Sequence, residues 1–486
     1  MRSGWRWFNV AVFAFFAMEC TGVQYINPAG RPCDEAHPCG SGTTCDPVTS
    51  RCVTSTVVDR GPGLPDGSHP DHSVGDGPSA DLAGDGPLDD LGPLPDTVPP
   101  CQGLTCPLGC DIAKDRCLRL APSNVPQSTL PALEAGATAT LSGKTIELNT
   151  YTGQVKVDGA VVRASGGTGT SVSGVYWGVI SQGSGYPDIA LFGVGSLELQ
   201  AGGTLTVTGS RATLIYASED VTISGALIAT PGRPSAAPGG FSGGNANTDA
   251  ASCHGGGGKK GSLGGCTSPV CESGGGGGGR KASGGNGGIP APDGTPGGAG
   301  GAANGSSSLM PLYGGCGGGG GGGTASGDGG GGGGAVQIST SGTLQVSSSG
   351  VISMPGAGGE KGYVSDYQGG GGGGSGGAIL LEGATVQVQG VLAANGGGGG
   401  SEQNGEDGKA SATAAQGGPT GTNTGAGGAG GAKATEAGGD GVGGTEKNDG
   451  GGGGGAAGRI RINSPSSTLG GVLSPTPATS SSVATW

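Results

Sequence analysis

Gly369–Gly400 reads GGGGGGSGGAILLEGATVQVQGVLAANGGGGG, and the recurrence of that design limits what this chain can fold into. Six glycines enter a short apolar segment, Ala378–Leu381. A second segment alternates through Val386 and Val388, and Gly390-Val391-Leu392 closes the unit before glycine resumes. Glycine has no side chain to bury and loses more backbone entropy on ordering than any other residue. A chain with 121 glycines and 31 prolines among 486 residues therefore has too little apolar side chain for one large core. Its order must come from thin repeated layers, backbone hydrogen bonds and disulfides.

Four segments share the pattern. They are Ala212–Tyr216 with Val221–Ile228, Ala335–Ile338 with Leu344–Ile352, Ala378–Leu381 with Val386–Leu392, and Arg459–Ile462 with Leu469–Leu473. Each closes on glycine and two apolar residues: Gly225-Ala226-Leu227, Gly350-Val351-Ile352, Gly390-Val391-Leu392 and Gly471-Val472-Leu473. Upstream, Thr138–Leu148, Gly153–Val162 and Ser196–Thr208 alternate with period two between glycine-containing turns, the mark of half-buried strands. Helix signals are nearly absent. One such unit cannot bury its apolar face, whereas stacked units can. The expected fold class is all-β, a parallel β-helix or solenoid, with a β-sandwich as runner-up because alternation alone does not separate the two. The β-rich body spans 119–231, with later coils at 335–354, 378–394 and 459–486; the Pro/Ser/Thr-rich end of the last caps or trails it.

Glycine-rich insertions separate the units at 232–334, 355–377 and 395–458, all leaving just after a closing triplet. Six-glycine runs recur at Gly274–Gly279, Gly329–Gly334, Gly369–Gly374 and Gly450–Gly455, and seven glycines lie at Gly317–Gly323. Disordered tethers are one reading. The equal run lengths favour another, a polyglycine-II bundle, in which chains without side chains approach closely enough for backbone hydrogen bonding. The period is not Gly-X-Y, so collagen is excluded.

The amino terminus reads as an export signal over 1–22. Arg2 and Arg6 precede the apolar stretch Trp7–Met18, too short for a permanent span. Two cleavage readings compete: lipidation at Cys20, where Glu19 departs from the usual small residue, or simple cleavage after Gly22. The other twelve of the thirteen cysteines fall into three even groups, which in an exported chain read as disulfides. Cys33, Cys39, Cys45 and Cys52 form a module at 23–53. Cys101, Cys106, Cys110 and Cys117 form a second at 101–118. Both end in Cys-Asp-x4-Arg-Cys, so they read as copies of one unit too small to stand without crosslinks. Zinc fits the first group's spacing poorly. The third group, Cys253, Cys266, Cys271 and Cys316, lies inside the first insertion. Between the modules, 54–100 is an acidic Pro/Gly/Asp-rich linker, solvated and disordered by composition, with a polyproline-II reach of roughly 100 Å or more.

These modules resemble the short cysteine-rich repeats of secreted growth-factor-like domains and of exported bacterial surface lipoproteins. The repeated β pattern resembles the right-handed β-helix of bacterial surface proteins, the pectin-lyase-like class. In composition the glycine arms are similar to glycine-rich domains of animal receptors, phage adhesins and an antifreeze protein.

The net charge of −13 with 23 basic residues excludes a nucleic-acid footprint and leaves contact with a membrane only to a lipid anchor. No catalytic set, metal site or cofactor motif is expected. The acids Asp158, Asp188, Glu198, Glu219 and Asp220 show no pairing, and Lys156 and Arg211 are the bases nearest them in type. Cys253-His254 would need a placed third partner to act as nucleophile and base. The expected function is non-enzymatic: an exported protein of the outer membrane or cell surface, lipid-anchored or secreted. Adhesion or envelope structure is the expected task, with a polysaccharide or another surface component as partner. Tyr363 and Tyr367 are surface-contact candidates; Tyr176 and Trp177 are expected to pack inside. The rivals are a carbohydrate-active β-helix enzyme and a binder of ordered, ice-like surfaces.

Overall fold

The computed structural model describes residues 43–46, 51–54, 101–263, 271–290, 294–362, 368–421, 425–444 and 449–486. The signal segment 1–22 with Cys20, and Cys33, Cys39, Cys266, Tyr363 and Tyr367, lie outside them, as does the linker beyond Thr54. Cys45 and Cys52 are described by backbone alone. The chain divides into two units, 1–92 and 93–486.

In the first unit Thr43–Asp46 pairs antiparallel with Arg51–Thr54, with Cys45 opposite Cys52. The second copy of the phrase makes the same hairpin in the second unit. There Cys110 faces Cys117, and disulfides join Cys101 to Cys110 and Cys106 to Cys117.

The fold is all-β, with 30% strand against 3% helix. Its main sheet is mixed: three parallel ladders share their chain segments, and antiparallel strands at Val155–Val157, Ala160–Arg163 and Tyr176–Ile180 join them. The first stacks Ile189–Val194, Ala212–Ala217, the start of Ala335–Val346, the start of Ala378–Val388, Arg459–Asn463 and Ala478–Ser480. The second places Leu141, Leu197, Val221, Leu344, Val386 and Ser467 in register. The third stacks Ile146, Leu205, Leu227, Ile352, Leu392 and Leu473. In-register stacking puts like side chains on like, so each aliphatic residue covers its neighbour above and below. Apolar residues from all three ladders meet in one buried cluster. A cavity of about 10 Å³ lies in that interior between Leu141, Ile146, Phe192 and their neighbours.

The closing triplets mark the corner between the second and third ladders. A Cβ on Gly390 or Gly471 would run into the carbonyl oxygen of Gly350 or Gly390 one rung away. Glycine at this corner lets the rungs approach, and Val391 and Val472 then donate to those same carbonyls at 2.9 Å. The glycine insertions leave after the third ladder, following Ile228, Ser353 and Ala393.

Two elements differ from the sequence expectation. Gly153–Val162 is a meander rather than one strand, Val155–Val157 and Ala160–Arg163, joined by a turn at Asp158-Gly159 where both residues have positive φ. A short helix, Leu130–Gly136, covers the outer side of the first ladder. It buries Leu130 and Leu133 against Leu191, Leu214, Tyr216 and Leu380. Beside it lies a buried polar layer centred on Glu382. That carboxylate accepts from Gln337 Nε2 at 2.7 Å, Ser339 Oγ at 2.9 Å, Asn463 Nδ2 at 2.9 Å and the Ser123 amide at 3.1 Å. Four donors from three segments hold this buried carboxylate. They also bind the entering chain to the ladder.

Candidate binding surface

The insertions are not slack. In 369–377 the backbone N–H groups donate in three directions with a three-residue period. Gly370, Gly373 and Gly376 donate to Gly450, Gly453 and Ala456. Gly371, Gly374 and Gly377 donate to Glu360, Ala357 and Met354, and Gly372 and Ser375 to Gly319 and Cys316, at 2.8–3.1 Å throughout. Three residues per turn is the repeat of the polyproline-II helix. Side chains have no room here. A Cβ on Gly372 would fall far inside contact with the Gly276 carbonyl oxygen, and one on Gly373 would meet Gly397.

Three of these segments form a closed cycle, and each comes from a different insertion. Gly275 and Gly278 donate to Gly370 and Gly373; Gly370 and Gly373 donate to Gly450 and Gly453; Gly450 and Gly453 donate back to Glu272 and Gly275. The eight glycines Gly369–Gly374, Gly376 and Gly377 are all buried, as are all six of Gly450–Gly455. The disulfide Cys253–Cys316 ties two further segments of the first insertion. Cys271 is also disulfide-bonded.

At the end of the cycle farthest along the chain from the ladder strands Ala378–Val388 and Arg459–Asn463, two acids are enclosed. Glu272 is 3% exposed and Asp449 0%. Asp449 Oδ1 accepts from the Glu272 amide at 2.9 Å, and Gly369 donates its amide to the Glu272 carboxylate. Glu272 Oε2 and Asp449 Oδ2 are buried without a hydrogen-bond partner. Burial pushes the Glu272 carboxyl up to about 7, helped by the charge of Asp449, and burial pushes Asp449 up to about 7 as well.

An aromatic ledge forms where the first insertion meets the loop before Ile189–Val194. Tyr186 and His254 stack with centroids 4.1 Å apart, and Tyr313 lies 5.2 Å from His254 and 5.3 Å from Tyr186. Phe241 stands edge-on to both His254 and Tyr313. His254 is exposed, Tyr186 and Phe241 are half-buried, and Tyr313 is buried. Gln182 fastens the loop, exchanging hydrogen bonds with Leu312 at 2.6 and 2.7 Å. His254 Nε2 lies 3.1 Å from the Gly185 carbonyl oxygen. Behind Tyr313, Arg280 is fully buried with its guanidinium 3.7 Å from the ring centroid. Tyr186 and His254 spend one face on each other, and the remaining exposed aromatic surface is what the ledge offers a sugar ring or another planar group.

Apart from His254, the residues singled out from sequence sit elsewhere. Tyr176 and Trp177 are each 6% exposed and pack in the β body. Asp158 accepts from the Lys144 and Thr145 amides, and Asp220 from Thr343. Glu198 accepts from Ser142, and Lys156 pairs with Glu147. Asp188 and Arg211 approach at 3.9 Å, with Arg211 also holding the Thr150 and Tyr151 carbonyls. These acids serve turns and neighbouring strands. Cys253 is bonded to Cys316, so it is not available as a thiol nucleophile for His254. The ledge itself was not legible, because Tyr186, Phe241, His254 and Tyr313 are scattered along the chain without a motif.

Among the described residues no helix is long and apolar enough to cross a membrane. No family model, curated protein or solved structure matches this chain.

Proposed function

We propose that this chain is a non-enzymatic exported surface protein in which a parallel β-solenoid carries a polyglycine-II body as a stiff adhesive head. The three ladders are the faces of the solenoid, and the insertions after the third ladder fold together into the head. The observation that carries this reading is the closed glycine cycle. A body whose strands are joined in three directions by backbone hydrogen bonds gives a rigid platform. The disulfides support an oxidising, exported setting. A bacterial cell surface, with lipid anchorage through Cys20 or simple secretion, is the corresponding location.

The partner we favour is a polysaccharide, stacked on the ledge of Tyr186, Phe241 and His254. Co-sedimentation of the purified chain with a panel of insoluble polysaccharides tests this. Binding to one of them should weaken about tenfold in Tyr186→Ala and His254→Ala, in line with losing roughly 1 kcal/mol or more of ring stacking. Release of soluble sugar fragments during the incubation would overturn the non-enzymatic reading. Unchanged binding by both variants would remove the ledge from it.

A further inference from the structure

We infer that Lys281 and Arg459 form a pocket for one oxyanion, the group an acidic sugar carries as a carboxylate or sulfate. A cavity of about 180 Å³ opens between the first insertion, the strand Arg459–Asn463 and the C-terminal segment. That is below the roughly 300 Å³ of a drug-sized site and suits a single small group. Lys281 and Arg459 line it, with the exposed hydroxyls of Ser307 and Thr476 at its rim and Pro477 as an apolar wall.

The charge there is unbalanced. Arg280, Lys281 and Arg459 converge, and Glu436 is the one carboxylate in contact with any of them among the described residues. Lys281 Nζ reaches Glu436 Oε1 at 2.5 Å and the Thr476 carbonyl at 2.9 Å. Arg459 donates only to backbone carbonyls, Asn304 at 3.0 and 3.2 Å and Arg280 at 3.4 Å. Arg280 spends its donors on Asn304 and the Tyr313 carbonyl. Burial lowers both arginines, Arg280 to about 10, which leaves them charged at neutral pH. Two cations line the cavity against one acid, a local excess of positive charge in a protein of net charge −13. Lys281 uses two of its three donors and Arg459 Nη1 has no partner among the described residues, so with the rim hydroxyls they offer the N–H and O–H donors that recognise an oxyanion.

The anion's source rests on the polysaccharide reading; the pocket does not. Isothermal titration at fixed ionic strength with sodium sulfate, a galacturonic-acid trimer and a neutral glucose trimer separates the two. The acidic trimer and sulfate should bind and the neutral trimer should not. Lys281→Met should weaken binding about tenfold or more, as expected for losing a charged hydrogen bond. Thr476→Glu places a carboxylate at the exposed rim, leaves both cations in place, and should abolish binding while the fold is unchanged by circular dichroism. Sulfate binding without acidic-trimer binding would keep the pocket and reject an acidic sugar as its occupant. No binding by either anion, or equal binding by a folded Thr476→Glu variant, would overturn the inference.

Discussion

Leu227, Ile352 and Leu392 stack in one ladder; Gly275, Gly370 and Gly450 lie in one glycine cycle. Both sets are buried and both come from segments far apart in the chain. The ladder is held by side chains covering side chains, with hydrogen bonds in the sheet plane. The glycine body has almost no side chains inside, and its hydrogen bonds run in three directions around each strand. The two regions therefore fail differently. A ladder position tolerates a smaller side chain at the cost of a cavity. A glycine position tolerates nothing larger than hydrogen, because the neighbour it would strike is backbone and cannot rotate away.

Substitution in the glycine body should give the largest effect. Gly454 lies where an added Cβ would collide with the Ala429 carbonyl oxygen, so Gly454→Val should cost more than ~4 kcal/mol, outside the usual range for one change. Urea unfolding measures it, and hydrogen exchange should show Gly370, Gly373 and Gly453 losing protection. A loss under 1 kcal/mol would break the distinction between the regions. Ile352→Ala is the ladder counterpart. It should cost about 2–5 kcal/mol through lost burial and a residual cavity, with exchange in the glycine strands less affected than in the ladder.

The smallest expected effect is a dependence on pH set by two acids of the glycine body. Glu272 and Asp449 are raised to about 7 in the folded chain, above their ordinary values. Between about pH 4 and pH 7 the folded state holds protons that the unfolded state releases, so stability falls as pH rises, then levels off above 7. Glu272→Gln with Asp449→Asn should flatten the slope, and denaturation midpoints from pH 4 to 8 would show it.

The ladders were legible because their residues repeat. Leu227, Ile352, Leu392 and Leu473 each follow a glycine and one other residue, so the third ladder could be read almost directly. Ile189–Val194 was harder. Every residue in it is buried, on one side by the inner core and on the other by the Leu130–Gly136 helix, so it carries no alternation. That helix is seven residues long with Pro131 near its start, too short to leave a periodic signal. The equal glycine runs signalled an ordered body, but glycines carry no mark of which strand they face. Glu272 and Asp449 are 177 positions apart, and nothing in either neighbourhood announces the other.

The glycine cycle also poses a problem of register. Its three strands are nearly identical in sequence, and sliding one past another by three residues would restore every hydrogen bond. The glycines cannot correct such a slip. The ladder can, since 369–377 runs directly into Ala378 and 449–458 into Arg459, and those strands are pinned by their aliphatic stacks. The cycle also waits for its third member until nearly the whole chain exists, so its contacts are of the slow, long-range kind. The aliphatic ladder is therefore the ruler along which the glycine head is assembled.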